Sequence, residues 1–281
     1  MAAGTLKTTE QTYPGILFFD IDGTIITEDG RHFIPESTRQ AIRDARDRGY
    51  LLFINTGRVF LNVEAMIRDL GFDGYVCGCG TNIRYQGYEL LHYIIPKDIQ
   101  TRTVERIRKS KMNVIFEASD MNALDVPVSI NPELAELADY FSRDGRRMVS
   151  VTDPSFHFDK FTGWYRKEDQ VLHDEFRKFA DIYYEYTDRG ESDGWRMCEI
   201  VPKGYSKGTG IRYLLTYFRI DMENCYVFGD STNDLPMFRE VVHSVAMGGS
   251  PQVVLDSVEY VTDTITEDGL YRAMLHYGLI G

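Results

Sequence analysis

Short uninterrupted apolar runs alternate with amphipathic segments through the first third of the chain. Ile16 to Asp20 reads as a strand, and Pro35 to Arg48 as a helix with Ala41, Ile42 and Ala45 on one face and Gly49 at its end. Tyr50 to Asn55 reads as a second strand, Val59 to Leu70 as a second helix closed by Gly71, and Tyr75 to Cys77 as a third strand. Strands that are continuously apolar, rather than alternating, are buried on both faces, and a βαβαβ order lays them parallel beneath covering helices. The same grammar returns near the other end. Ser206 to Phe218 is a helix with Ile211, Leu214, Leu215 and Phe218 inward, followed by a strand over Asn224 to Phe228, a helix over Thr232 to Glu240, a strand over Ser244 to Ala246 and a last helix over Gly269 to His276. The two outer segments are expected to complete one doubly wound α/β sheet.

The segment between them has another character. A hairpin turn falls at Gln86-Gly87, and helices are expected near Pro96 to Ser110, Pro132 to Phe141 and Lys167 to Phe179, with strands between; a strand over Glu199 to Val201 then precedes Lys207 in the returning outer segment. Residues 88–198 hold both tryptophans, Trp164 and Trp195, and enough other aromatics for a separate core. The expected organisation is a discontinuous α/β unit, residues 1–87 and 199–281, interrupted by an inserted α+β domain over 88–198; 281 residues accommodate two such units.

Charge and cysteine usage narrow the function. With 31 Lys+Arg against 43 Asp+Glu the formal charge is −12, which argues against a sequence-independent grip on nucleic acid but permits a local phosphate site. The longest apolar runs, such as Gly15 to Phe19, are far shorter than the roughly 20 residues that span a bilayer. The first fourteen residues read as a frayed tail rather than a signal peptide, so a cytoplasmic location is expected. Cys77, Cys79, Cys198 and Cys225 read as reduced core thiols; a zinc site on Cys77 and Cys79 would need two further ligands that the neighbouring sequence does not offer.

Four strings carry chemistry. The strand ending in Phe19 runs into Asp20-Ile21-Asp22-Gly23, two acids that repel one another unless a proton or a hard cation lies between them. In a doubly wound sheet that position is the ligand crevice. Thr56-Gly57-Arg58 places a hydroxyl and glycine-freed N–H groups at the expected start of a helix, a cradle for an anion. Lys207 stands at the front of a helix, where the dipole disfavours a cation unless an anion is near. Gly229-Asp230-Ser231-Thr232-Asn233-Asp234 adds two acids and an amide at another strand-to-helix junction. Each string has a plainer reading alone: solvated acids, a threonine N-cap, a surface lysine, a capping aspartate. Together they give carboxylates from Asp20, Asp22 and Asp230 for a divalent metal and donors from Thr56, Lys207 and Asn233 for an anion, as phosphoryl transfer requires.

D-I-D-G-T, N-T-G-R, a lone lysine and G-D-S-T-N-D-L-P-M-F, in this order, resemble the four motifs of the haloacid dehalogenase-like phosphatases. Glu199 to Pro202 with Lys207-Gly208, Val245 to Gly248, and Glu267-Asp268-Gly269 are similar to the Cof-type subfamily, whose cap is inserted between the second and third motifs. Gly80-Thr81-Asn82 and Gly248-Gly249-Ser250 depart from the subfamily pattern, with loop geometry as the expected consequence. The resemblance implies a Rossmann-like core with a cap and a Mg²⁺-dependent phosphatase acting on a small phosphorylated metabolite, such as a sugar phosphate or phosphorylated cofactor. It implies Asp20 as nucleophile and Asp22 as general acid and base, with Mg²⁺ held by Asp20, Asp22 and Asp230. The phosphoryl oxygens would meet the Ile21 and Gly57 backbone, Thr56, Lys207 and Asn233, with Asp234 orienting Lys207 or a metal-bound water. A phosphosugar mutase of the same fold and a noncatalytic phosphometabolite-binding protein are the alternatives. Aromatics and charges over Phe156 to Arg166 read as cap core with a solvated edge, or as a grip on a sugar or ring.

Overall fold

The computed structural model describes residues 13–28, 30–125 and 131–281, so the expected N-terminal tail lies almost wholly outside the described residues. The first segment supplies β1 (Ile16–Phe19), α1 (Glu36–Asp47), β2 (Leu51–Asn55), α2 (Ala65–Arg68), β3 (Gly74–Cys77), β4 (Asn82–Tyr85) and β5 (Tyr88–His92). The insert contributes α3 (Lys97–Ser110), β6 (Asn113–Glu117), β7 (Asn122–Leu124), α4 (Pro132–Arg143), β8 (Met148–Ser150), β9 (Lys160–Arg166), α5 (Gln170–Tyr183), β10 (Tyr184–Ser192) and β11 (Trp195–Pro202). The chain then returns with α6 (Lys207–Phe218), β12 (Cys225–Gly229), α7 (Leu235–Phe238), β13 (His243–Ala246), α8 (Gln252–Leu255), β14 (Tyr260–Val261) and α9 (Gly269–His276).

One eight-stranded sheet runs β14-β13-β12-β1-β2-β3-β4-β5. It is parallel from β14 to β3, and β1 lies between β12 and β2 in register Ile16 with Cys225 and Leu51. Both ends of the chain therefore meet at β1, and the carboxyl ends of β12, β1 and β2 open side by side. Continuous apolar strands fit this burial: Leu17, Phe19, Leu52 and Ile54 pack under α1 and α9, while Ile16, Phe18, Leu51 and Phe53 pack against Ile211, Leu214 and Met237. A second, six-stranded sheet in the insert, β10-β11-β9-β6-β7-β8, carries α3 and α5 over a core of Phe116, Phe158, Phe161 and Phe176. This is the expected parallel-sheet α/β core with an inserted α+β cap.

Four boundaries differ from expectation. Gln86 and Gly87 both take positive φ, the two-residue turn that matches strand twist, and β5 therefore folds back onto β4 in the first sheet. At the other crossing, residues through Pro202 belong to the cap sheet, because β11 pairs with β9 and β10. The change of sheet thus falls after residue 92 and after 202, not at 88 and 199. The helix expected over Val59 to Leu70 is a short turn, Phe60–Asn62, then an extended Val63 and α2. Arg58 caps that turn by donating to the Asn62 carbonyl at 3.3 Å. The helix expected over Thr232 to Glu240 divides likewise into a turn, Thr232–Asp234, and α7. All four cysteines are free and buried. Among the described residues no helix is long and apolar enough to cross a membrane.

Candidate active site

Asp20 stands one residue past β1, its backbone N–H donating to the Phe228 carbonyl at 2.9 Å, so the end of β1 is tied to β12. The chain turns back through Gly23 at φ +72°; a Cβ there would meet the Asp230 carboxylate at 2.4 Å. Only glycine lets the two acidic loops approach this closely. On α6, Ser206 and Thr209 form a reciprocal N-cap, which fixes Lys207 as the first helical residue and sends its side chain inward. The ammonium is fully buried, 2.6 Å from Asp234 Oδ1 and 2.8 Å from Asp20 Oδ1, and it donates to Asn233 Oδ1 at 3.4 Å. Asp234 accepts the N–H groups of Asp230 and Ser231 on its other oxygen, both at 3.0 Å. Two carboxylates thus offset the unfavourable helix dipole at Lys207.

Carboxylate oxygens of Asp20, Asp230 and Asp234 lie within 4.8 Å of one another. Burial, reinforced by Asp20, Asp234 and Glu28, pushes the Asp230 carboxyl up to about 8. Asp20 is raised as well, by burial against the opposing pull of Lys207 and with further push from Asp234 and Asp22. Lys207 is held above the ordinary lysine value, since the attraction of Asp20 and Asp234 exceeds the effect of burial. Repulsion left over among three close oxygen donors, after one lysine is counted, is what a hard divalent cation relieves, and an all-oxygen set suits Mg²⁺. The residues fit such an ion.

Asp22 is placed otherwise. Its carboxylate receives a two-pronged grip from Arg58, Nε to Oδ2 at 3.0 Å and Nη2 to Oδ1 at 2.5 Å, so Asp234 and not Asp22 supplies the third side chain of the acidic group. The reason is the arginine fork, whose planar geometry matches both oxygens. Arg58 also reaches Glu64 Oε1 at 3.3 Å. Thr56 is buried and its hydroxyl accepts the Arg58 N–H at 3.2 Å. Because Phe60–Asn62 is a turn preceded by an extended Val59, the N–H groups of Thr56-Gly57 lie in a loop and not at the helix start expected there. Ile21 buries its side chain, while its carbonyl accepts from Ile25 and Ile26 at 2.9 and 3.0 Å. Asn233 turns its amide oxygen to Lys207 and Ser231, leaving its nitrogen to donate.

A cavity of about 540 Å³ extends from Asp20, Thr56 and Asn233 to the cap. There Lys160, 3% exposed, holds Glu199 Oε1 at 2.6 Å and Glu117 Oε1 at 3.2 Å, and Thr162 donates to the same Glu117 oxygen at 2.9 Å. Lys160 keeps Glu199 below the usual carboxylate range although burial works the other way. The Glu199 oxygen reaches the Thr56-Gly57 loop itself, since a Cβ on Gly57 would meet it at 2.9 Å. Leu137, Phe141, Trp164 and Met197 form an apolar wall. Asn62, Glu117 and Arg146 carry no expectation from sequence, while Arg58, Lys160 and Glu199 fall within strings noted there but without individual roles. Arg58 was visible beside Thr56-Gly57, and Lys160, Thr162 and Trp164 share one face of β9 by simple alternation; the others are joined across long sequence separations and left no local signal.

Residues 17–274 match the family model of the haloacid dehalogenase-like hydrolases. The protein YkrA of Bacillus subtilis (strain 168) is 26% identical over 269 residues, covering 94% of this chain and 98% of that one. The 5-amino-6-(5-phospho-D-ribitylamino)uracil phosphatase YcsE of the same organism is 26% identical, covering 94% and 96%. A solved structure of a HAD subclass IIB sugar phosphatase superposes with a TM-score of 0.76 at 27% identity, covering 95% of this chain and 100% of that one. By the agreement of motif order, sheet topology and these likenesses, the chain belongs to the haloacid dehalogenase-like hydrolases.

Proposed function

We propose that the protein is a Mg²⁺-dependent phosphatase that removes phosphate from a small phosphorylated metabolite by way of an aspartyl-phosphate on Asp20. One observation carries this reading: Lys207 is buried between Asp20 and Asp234, with Asp230 alongside, where β1 and β12 open onto the cavity. A side chain with that neighbourhood is built to hold a nucleophilic carboxylate and a phosphoryl group together. The names of the relatives, a ribitylaminouracil-phosphate phosphatase and a sugar phosphatase, support a small phosphate ester as substrate.

In this reading an Asp20 oxygen attacks phosphorus, the bond from phosphorus to the substrate oxygen breaks, and Asp22 gives that oxygen its proton. Asp22 then takes a proton from water, whose oxygen attacks phosphorus and frees Asp20 and inorganic phosphate. Mg²⁺, held by Asp20 and Asp230 with Asp234 close by, would supply positive charge against the phosphoryl oxygens. Lys207 and the Asn233 amide nitrogen, with the N–H groups of Ile21 and Gly57 and the Thr56 hydroxyl, neutralise and orient the remaining oxygens. Asp22 is turned to Arg58 here, so proton delivery requires that pair to open. The cap excludes bulk water from the phosphoryl group and contacts the organic portion.

Phosphate release from p-nitrophenyl phosphate and a metabolite panel tests the proposal. Turnover is expected with Mg²⁺, lost in EDTA and lost in Asp20→Asn. Near wild-type release by Asp20→Asn would overturn the nucleophile assignment, and isomerisation of a sugar phosphate without release would replace hydrolysis by phosphoryl return.

A further inference from the structure

The cap delivers to the cavity one cation that forms no ion pair among the described residues. Pairing of β10 with β11 is regular to Asp188, opposite Cys198, and resumes at Gly190, opposite Met197, so Arg189 is an extra residue without a cross-strand partner. The bulge is fixed by the Gly190 N–H donating to Asp188 Oδ1 at 2.9 Å and by Gly190 at φ +104°. A bulge of this kind re-aims a side chain, and Arg189 lines the cavity together with Asp230, Ser231 and Asn233.

Every other arginine or lysine of that cavity is held. Arg58 grips Asp22, Lys160 sits between Glu117 and Glu199, and Arg146 donates to Asp144 at 2.8 Å. Arg189 makes no hydrogen bond or ion pair with a described residue. Glu28, across the mouth on the core, is raised by burial and by Asp22, with Arg189 opposing that rise only in part, and Glu199, on the cap, is already taken by Lys160. An exposed guanidinium that lines the cavity and grips neither of these carboxylates leaves its planar fork open to an anion entering the cavity.

We propose that Arg189 is a specificity-determining residue that binds a second anionic group, phosphate or carboxylate, on the organic part of the substrate. The proposal rests on the phosphatase reading above and deepens it: the preferred substrate is a phosphate ester whose leaving group is itself charged. The phosphoryl group to be transferred goes to Lys207 and the acidic group, and the second anion goes to the bulge.

Matched substrate pairs test it. Glucose 6-phosphate and 6-phosphogluconate differ by a distal carboxylate; fructose 6-phosphate and fructose 1,6-bisphosphate differ by a distal phosphate. The wild-type protein is expected to favour the charged member of at least one pair by about tenfold or more in kcat/KM, and which pair responds identifies the anion. In Arg189→Gln that ratio is expected to fall to about unity, through KM, with partial retention in Arg189→Lys. A wild-type ratio near one in both pairs, or a preference unchanged by Arg189→Gln, overturns the proposal. Wild-type failure on p-nitrophenyl phosphate as well would strike the phosphatase reading instead. Binding of the same four compounds to Asp20→Asn protein, with and without Arg189→Gln, still reads the guanidinium in that event. Tighter binding of the compounds with a second anion that Arg189→Gln abolishes supports the proposal, and equal binding by the two proteins overturns it.

Discussion

Lys207 is the residue on which the site's electrostatics turns. Its ammonium serves Asp20 and Asp234 at once, both nearly or wholly buried, so truncation strands two carboxylates in a dry pocket. Lys207→Ala is therefore expected to lose about 3–5 kcal/mol of stability in urea unfolding, a cost typical of leaving a buried charge unpaired, and to recover part of it in Mg²⁺. A loss below about 1 kcal/mol would mean that the pocket is wetter than this packing implies. Asp230 gives a second prediction, with a definite sign. Its folded value, about 8, lies above the usual carboxylate range, so the folded metal-free protein binds a proton that the unfolded chain releases at lower pH. That proton's stabilisation is complete at acid pH, declines as pH rises beyond the ordinary aspartate value, and is gone above about 8. Metal-free protein should thus show a falling Tm between pH 5 and 9 on this account, while the Tm increment from Mg²⁺ should grow over the same interval as the ion meets less competition from protons. A Mg²⁺ increment that shrinks toward pH 9 would contradict the assignment of Asp230 to the metal.

Elements were legible where burial is symmetric. β1, β2 and β12 lie under helices on both faces, so each is an apolar run, and the Asp-x-Asp-Gly and Gly-Asp-Ser-Thr-Asn-Asp strings follow them directly. Lys207 broke the dipole rule in plain view, and its two carboxylates explain why. The segment after Thr56 was misleading, because Val59, Val63 and Ile67 keep helical spacing and are all buried, yet Arg58 and Asn62 take the polar contacts that a continuous helix would have scattered. Of the α6 glycines, Gly208 was visible only as part of a motif and Gly210 not at all, yet both are decisive in the packing. A Cβ at Gly208 would stand 2.5 Å from the Pro236 carbonyl of α7, and one at Gly210 would stand 2.4 Å from Val76 of β3. The helix that carries Lys207 is seated by having no side chains there. Gly208→Ala is expected to displace the start of α6, with a stability loss of about 1–3 kcal/mol from overpacking against backbone, and with a fall in kcat beyond what the loss of folded protein explains. An exposed control on the same helix, Thr216→Ala, should leave both nearly unchanged.

Across the whole molecule the decisive contacts join core to cap, and sequence could not show them because their partners lie far apart along the chain. Asn62, 2% exposed, exchanges amide hydrogen bonds with Asn122 of β7, at 3.1 and 3.0 Å, and donates to Glu117 Oε2 at 3.3 Å. Arg146 donates to the Asn62 side-chain oxygen at 3.3 Å, and Tyr140 of α4 donates to Glu64 at 2.6 Å. This seam places the Lys160–Glu117–Glu199 group over Gly57, so the cap's register on the core and the floor of the cavity are one structure. If the two amides act as a unit, removing either breaks the reciprocal pair, and removing both costs little more than removing one. Asn62→Ala and Asn122→Ala should each lower kcat/KM for a bulky substrate by about tenfold, while the double variant falls well short of the product of the two effects. Hydrogen exchange should quicken in β6 and β7 in all three proteins and stay slow in β1, whose protection belongs to the core sheet. Multiplicative losses in kcat/KM would show that the two residues act separately and that the reciprocal amide pair is not a unit.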